Sequence, residues 1–169
     1  MRNIKSCKLW PSLVLLLIAM ALPSLVTAAT VTRVIDADGF DRVLVLSPYD
    51  VDIVQGAEFH VEVTVDGQYE DAPEVWVDDS ALILGVGPDP YNFSTLKARV
   101  TLPTLDSIEI LGAGNATLSG FAQHELAVRI IGTGRVGGES LWIDELDLKV
   151  MGTGGVDFGD IEPLQYADV

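Results

Sequence analysis

A fixed step of twenty residues runs through the back half of the chain and limits its folds more than any other feature. Leu111-Gly-Ala-Gly lines up with Ile131-Gly-Thr-Gly and Met151-Gly-Thr-Gly, so Gly112, Gly132 and Gly152 share one column and Gly114, Gly134 and Gly154 another. The apolar positions keep the same step: Ile108 with Val128 and Leu148, Ile110 with Ile130 and Val150, Ala116 with Val136 and Val156, Phe121 with Leu141 and Ile161. Self-similarity at such a period marks a stacked-repeat architecture. Each unit reads strand, Gly-x-Gly corner, short strand, turn. One unit cannot bury its own apolar face, but a neighbour stacked at the strand spacing of about 4.8 Å buries it.

Alternation assigns the two faces. Leu126, Val128 and Ile130 point one way, with Ala127 and Arg129 opposite; Leu146, Leu148 and Val150 point inward in the next unit, with Asp147 and Lys149 outward. Stacking in register puts Glu109, Arg129 and Lys149 in one outward column. It also puts Leu118, Gly138 and Phe158 in one inward column, where Phe158 is expected to spread into the space over Gly138. The glycines at the corners supply positive φ or close backbone approach, which a Cβ resists.

Ahead of the repeat, residues 31–100 read as short strands with no helical period. Val31-Thr-Arg-Val-Ile and Val43-Leu-Val-Leu are β-rich. Val51, Ile53, Phe59, Val61, Val63 and Val65 alternate with polar neighbours, as do Leu96, Ala98, Val100 and Leu102, and Pro103 stops that last run. Val75-Trp-Val and Ala81-Leu-Ile-Leu flank a turn at Asp78-Asp79-Ser80. Residues 85–92, with Pro88 and Pro90, read as a surface loop, since two prolines cannot serve a central ladder. Its Tyr91 and the following Phe93 are expected to fold back over a strand edge.

The first 28 residues read as a cleavable export signal: Arg2, Lys5 and Lys8 form a basic leader, residues 13–22 an apolar run, and Val26-Thr27-Ala28 a small-residue cleavage site. The apolar run is shorter than the roughly 20 residues a bilayer span needs. Cleavage would remove Cys7, the only cysteine, and three of the ten Lys and Arg. The rest, residues 30–169 read as one domain with repeats at about 107–166, then carries seven cations against 25 carboxylates, a net charge of −18. Such a surface repels nucleic acid and is compatible with solubility, divalent cations or basic partners.

A search for chemistry finds little. His60 and His124 are the only histidines, the first in an alternating strand and the second in a turn, and both read as structural or solvated. The Gly-x-Gly corners lack the helix and lysine of a phosphate loop. A glycosidase needs two carboxyl groups roughly 5–10 Å apart, and Asp144, Glu145 and Asp147 with Asp157 and Asp160 offer them on neighbouring units. Asp36-Ala-Asp38-Gly39-Phe40-Asp41 is the one run with calcium-like spacing, but the twelfth position counted from Asp36 is Ser47, where a calcium loop wants glutamate. The expectation is no catalytic, cofactor or metal residue.

Gly39-Phe40-Asp41-Arg42-Val43, then Asp50-Val-Asp-Ile-Val-Gln-Gly56, then Leu102-Pro103-Thr-Leu105 leading into the Gly-x-Gly repeats, resembles the bacterial family called putative auto-transporter adhesin, head GIN domain. The resemblance implies an exported right-handed parallel β-helix-like domain without established catalysis. It defines no functional residues to carry across. Members usually continue through further coils to a closing strand, whereas here Pro163, Gln165 and Asp168 interrupt the alternation. A cap, an open edge that pairs with another chain, and a shortened stack all remain open.

Together these readings predict an all-β, right-handed parallel β-helix or solenoid-like stack, exported to the periplasm or cell surface. It would act there as a non-catalytic, adhesin-like binding or structural module. The expected partners are a cell-surface carbohydrate or protein, with self-association through an open C-terminal coil, no nucleic acid, and no membrane span after signal cleavage. The alternatives are a carbohydrate-active enzyme on acidic polysaccharide and an envelope stability factor without a ligand. A binding module should show an exposed aromatic or apolar patch, for which Trp76, Tyr91, Phe93 and Trp142 are the candidates.

Overall fold

The computed structural model describes residues 29–89 and 91–159. The leader at 1–28, with Cys7, and Asp160, Ile161, Pro163, Gln165 and Asp168 lie outside the described residues. Thirteen strands follow one another: β1 (Thr30–Ile35), β2 (Arg42–Val45), β3 (Asp50–Gln55), β4 (His60–Asp66), β5 (Pro73–Asp78), β6 (Ala81–Val86), β7 (Leu96–Leu102), β8 (Ser107–Gly112), β9 (Asn115–Ser119), β10 (Ala122–Gly132), β11 (Arg135–Glu139), β12 (Trp142–Gly152) and β13 (Gly155–Asp157). A 3₁₀ turn, Gly67–Tyr69, follows β4.

The strands form two sheets. One runs β1-β4-β7-β3-β9-β11-β13 and the other β12-β10-β8-β2-β6-β5. The repeat columns are ladder partners: Gly132 pairs with Gly112 and Gly152, Val128 with Ile108 and Leu148, and Ile130 with Ile110 and Val150. Val136 pairs with Ala116 and with Val156 in the other sheet. Glu109, Arg129 and Lys149 stand side by side, with Arg129 3.9 Å from Glu109. Phe158 lies against Gly138, where an added Cβ would come within 2.6 Å of its ring.

Two findings depart from the sequence reading. Both sheets are mixed, where a uniformly parallel stack was expected. β1, β4 and β7 pair antiparallel, as do β5 and β6. The β5–β6 hairpin closes through Asp79 and Ser80, both at positive φ (45° and 60°), the geometry a two-residue hairpin turn requires. The second departure is order. β8 follows β7 in sequence but lies beside β2, with Ile108 against Val43 and Ile110 against Val45, while β6 lies on the far side of β2. The early pair β2 and β3 therefore occupies the middle of both sheets, and the repeat extends to one side of it.

The inward columns of both sheets merge into one apolar cluster, including Val43, Val45, Ile53, Val100, Ile108, Ile110, Leu118, Phe121 and Ile130. Each such aliphatic contributes roughly 1.5–3 kcal/mol on full burial. Leu148 and Val150 keep the inward columns but are 47% and 43% exposed, because β12 is the outermost described strand of its sheet. Tyr49, in the corner between β2 and β3, is fully buried, and its hydroxyl donates to the Gly85 carbonyl at 2.9 Å. Burial raises the phenol's pKa above the ordinary tyrosine value.

Gly132→Ala is expected to cost about 3 kcal/mol or more by chemical denaturation: φ is +135° and the new Cβ would run into the Gly112 carbonyl. Gly112→Ala, at φ +119° with open space around it, should cost only about 1–2 kcal/mol. Tyr49→Phe should cost about 1 kcal/mol by orphaning the Gly85 carbonyl. Since the folded phenol has the higher pKa, its stabilisation is complete below about pH 10 and declines above it. An ultraviolet titration should find Tyr49 ionising later than an exposed tyrosine.

Candidate functional site

Aromatic side chains gather where the chain enters β7. Asp66, at the end of β4, is buried, and its Oδ2 accepts from the amides of Ser94 at 2.6 Å and Thr95 at 3.2 Å. Those bonds hold the segment before β7 against the 3₁₀ turn. Tyr69 from that turn meets Tyr91 and Phe93 edge-on, with centroids 5.5 and 5.3 Å away, and Tyr91 and Phe93 lie 5.2 Å apart. These separations fall in the favourable range for aromatic pairs, about 4.5–7 Å. Phe93 packs against the core, while Tyr91 meets Tyr69 and Phe93 rather than a strand edge. The loop is shorter than the expected 85–92, since Gly85 and Val86 belong to β6.

A groove of about 340 Å³ opens beside this cluster, lined by Pro48, Asp50, Tyr91, Asn92, Phe93, Ser94 and Leu96. Asp50 is oriented by Asn115, whose Nδ2 donates to Oδ1 at 3.0 Å. Half-buried rings therefore share the groove with a carboxylate, an amide and a hydroxyl. Burial, followed by the carboxylates of Asp89 and Glu74, raises the Tyr91 pKa, and its hydroxyl, protonated at neutral pH like any tyrosine's, can donate a hydrogen bond. The sequence pointed to Tyr91 and Phe93 but not to Tyr69 or Asp50, whose part depends on chain segments about 20 and 40 residues away.

The other two candidate aromatics do not join this site. Trp76 lies on β5 and Trp142 on β12, at opposite edges of the other sheet. Five strand steps separate them, roughly 24 Å at the usual spacing. Of the four candidate aromatics, Tyr91 and Phe93 share one place, and Trp76 and Trp142 stand apart from it and from each other.

His124 stands inside β10 and not in a turn, and His124, Glu125 and Glu145 have ligand atoms within 4.8 Å of one another. All three are exposed, and among the described residues no other trio of metal-ligand type converges so closely. Gln123 fixes the backbone beneath them, donating to the carbonyls of Leu105 at 2.7 Å and Glu125 at 2.6 Å. Asp106, Glu125, Glu145 and Asp147 line an adjoining groove of about 220 Å³. Asp157 lies on β13 in the sheet opposite Asp144, Glu145 and Asp147, while Glu125 and Glu145 are ladder partners on neighbouring strands. Asp36 and Asp38 are exposed and Asp41 lies 3.7 Å from Arg42, so the calcium-like run does not converge on one point. His60 sits 3.0 Å from Glu62 on an exposed face.

Glu125 directly opposite Glu145 is a like-charge ladder pair, which disfavours the fold. Glu145→Gln should therefore raise the melting temperature at low salt, and the gain should shrink in 1 M salt as screening shortens to about 3 Å.

Comparison with curated proteins finds no match. Among solved structures, a putative adhesin from Bacteroides fragilis superposes with a TM-score of 0.52 at 13% identity, covering 76% of this chain and 96% of that one. A putative adhesin from Parabacteroides distasonis gives 0.56 at 14% identity, covering 77% of this chain and 65% of that one. Both share the fold. Residues 39–166 match the family described as putative auto-transporter adhesin, head GIN domain, and the chain belongs to that family.

Proposed function

We propose that this chain is an exported, non-catalytic binding module of the bacterial cell envelope, and that it grips a cell-surface carbohydrate in the groove beside Tyr91 and Phe93. One observation carries the reading: that groove combines two aromatic side chains with Asp50, Asn92 and Ser94. Binding sites combine apolar and aromatic lining with a few placed polar groups, and that is the composition here. A sugar ring has an apolar face for the rings and hydroxyls for the carboxylate and amide. Membership of an adhesin-like family and the basic leader ahead of a small-residue cleavage site support export to the periplasm or surface.

The in-register units also support the finer architectural reading, a right-handed solenoid of about twenty-residue coils within a single domain. In that reading the stack is a stiff support and the segment before β7 the part that touches a ligand. Loops on rigid scaffolds commonly carry binding.

Titration of the purified protein against a panel of cell-surface glycans should find at least one that binds. Tyr91→Ala should then weaken it about tenfold or more, the loss expected of a central aromatic contact. Trp76→Ala should leave affinity unchanged, and Asp50→Asn should weaken it without lowering the melting temperature. Equal binding by all three variants would overturn the site. Fractionation of the producing cell should place the protein outside the cytoplasm. Incubation with acidic polysaccharide should release no reducing ends, whereas release abolished by Asp147→Asn would favour the enzyme alternative.

A further inference from the structure

We propose that the outer edge of β12 is the docking surface for a second copy of this chain, paired antiparallel about a two-fold axis through Leu148. Along this strand Leu148, Val150 and Met151 are 47%, 43% and 43% exposed, the densest group of exposed large apolar residues in the described chain. β12 has β10 on one side, and no described strand adjoins its other side. Such an edge offers a row of backbone donors and acceptors to another strand.

The residues along this edge select the partner. Leu146-Asp147-Leu148-Lys149-Val150 is self-complementary when reversed. With Leu148 opposite Leu148, Asp147 faces Lys149 of the second copy on the outward face, and this happens twice by symmetry. Leu146 then faces Val150 on the inward face, extending the apolar column across the junction. A residue-to-residue match of this kind is what a two-fold, self-paired interface requires.

Lys149 gives an independent reason. Its ladder neighbour within the chain is another cation, Arg129, whose carboxylate partner is Glu109. No ion pair to Lys149 is present among the described residues. A lysine on an edge strand ordinarily discourages pairing, but here the register that joins two copies supplies Asp147 to it.

Sedimentation velocity of the full chain over a concentration series should show a dimer that gains population with concentration. Lys149→Glu and Asp147→Lys should each weaken it about tenfold or more, since each sets like charges opposite one another twice. The double variant Asp147→Lys with Lys149→Glu should restore it. A register readout comes from cysteine, placed in a Cys7→Ser background so that no native thiol remains. Leu148→Cys should cross-link between copies, because directly opposed residues have Cα atoms about 4.5–5.5 Å apart, within disulfide reach. Val150→Cys should not, because four residue steps hold the two positions roughly 14 Å apart. A single-chain mass at every concentration would overturn the proposal. So would a double variant no better than the singles, or equal cross-linking at both positions. Dimerisation only after truncation at Gly159 would show that the chain's own tail covers the edge, and that too would overturn it.

Discussion

The structure depends on how closely its glycine corners approach. The Gly112 carbonyl accepts from the amides of Thr133 at 2.8 Å and Gly134 at 3.1 Å, and the Gly132 carbonyl does the same for Thr153 at 2.9 Å and Gly154 at 3.1 Å. One carbonyl serving two amides of the next unit requires backbone against backbone, with no Cβ between them. That contact sets the register, and the register brings Ile108, Val128 and Leu148, or Ile110, Ile130 and Val150, into line. A slip of one residue would turn each of these aliphatics to the solvent face. Hydrogen bonds at the corner and apolar burial along the strands therefore reinforce one another.

The front half obeys the same packing rule by another route. β2 and β3 present Val43, Val45, Val51 and Ile53 to the same core and accept β8 and β9 on one side, β6 and β7 on the other. Antiparallel additions at β1, β4 and β5 complete that end of the two sheets. The two ends are therefore unlike. One finishes in antiparallel strands, with Asp66 tying the segment before β7; at the other, among the described residues, Leu148 and Val150 of β12 stay half-exposed.

That difference distributes the chemistry. Irregular chain, and with it the Tyr69, Tyr91 and Phe93 cluster, occurs where the repeat is absent, because a twenty-residue unit closed by a tight glycine corner has no room for a long loop. The repeat side carries charge instead. Positions twenty residues apart must be ladder neighbours, so Glu125 meets Glu145 and Arg129 meets both Glu109 and Lys149. Arg99, 3.9 Å from Asp52 and opposite Glu62, shows the balancing of cation by carboxylate on the other sheet. Among the described residues no carboxylate pairs with Lys149, whose ladder neighbour is Arg129.

By itself the sequence determined everything that has a local period. The alternation marked the strands, the twenty-residue step specified which residues of the back half are ladder partners, and the Leu118, Gly138 and Phe158 column foretold a ring packed over a glycine. The family could be read from the ordered motifs between Gly39 and the repeats. Tertiary structure alone decided what depends on pairing between distant segments. No period links Arg42 to Ser107, so the place of β2 beside β8, and the mixing of parallel with antiparallel strands, had no signature in the chain. The same holds for the sites. Tyr69 and Asp50 join Tyr91 through sheet topology, and His124 joins Glu145 through stacking, whereas Trp76 and Trp142 end on opposite edges because residue type says nothing about which edge a strand will occupy.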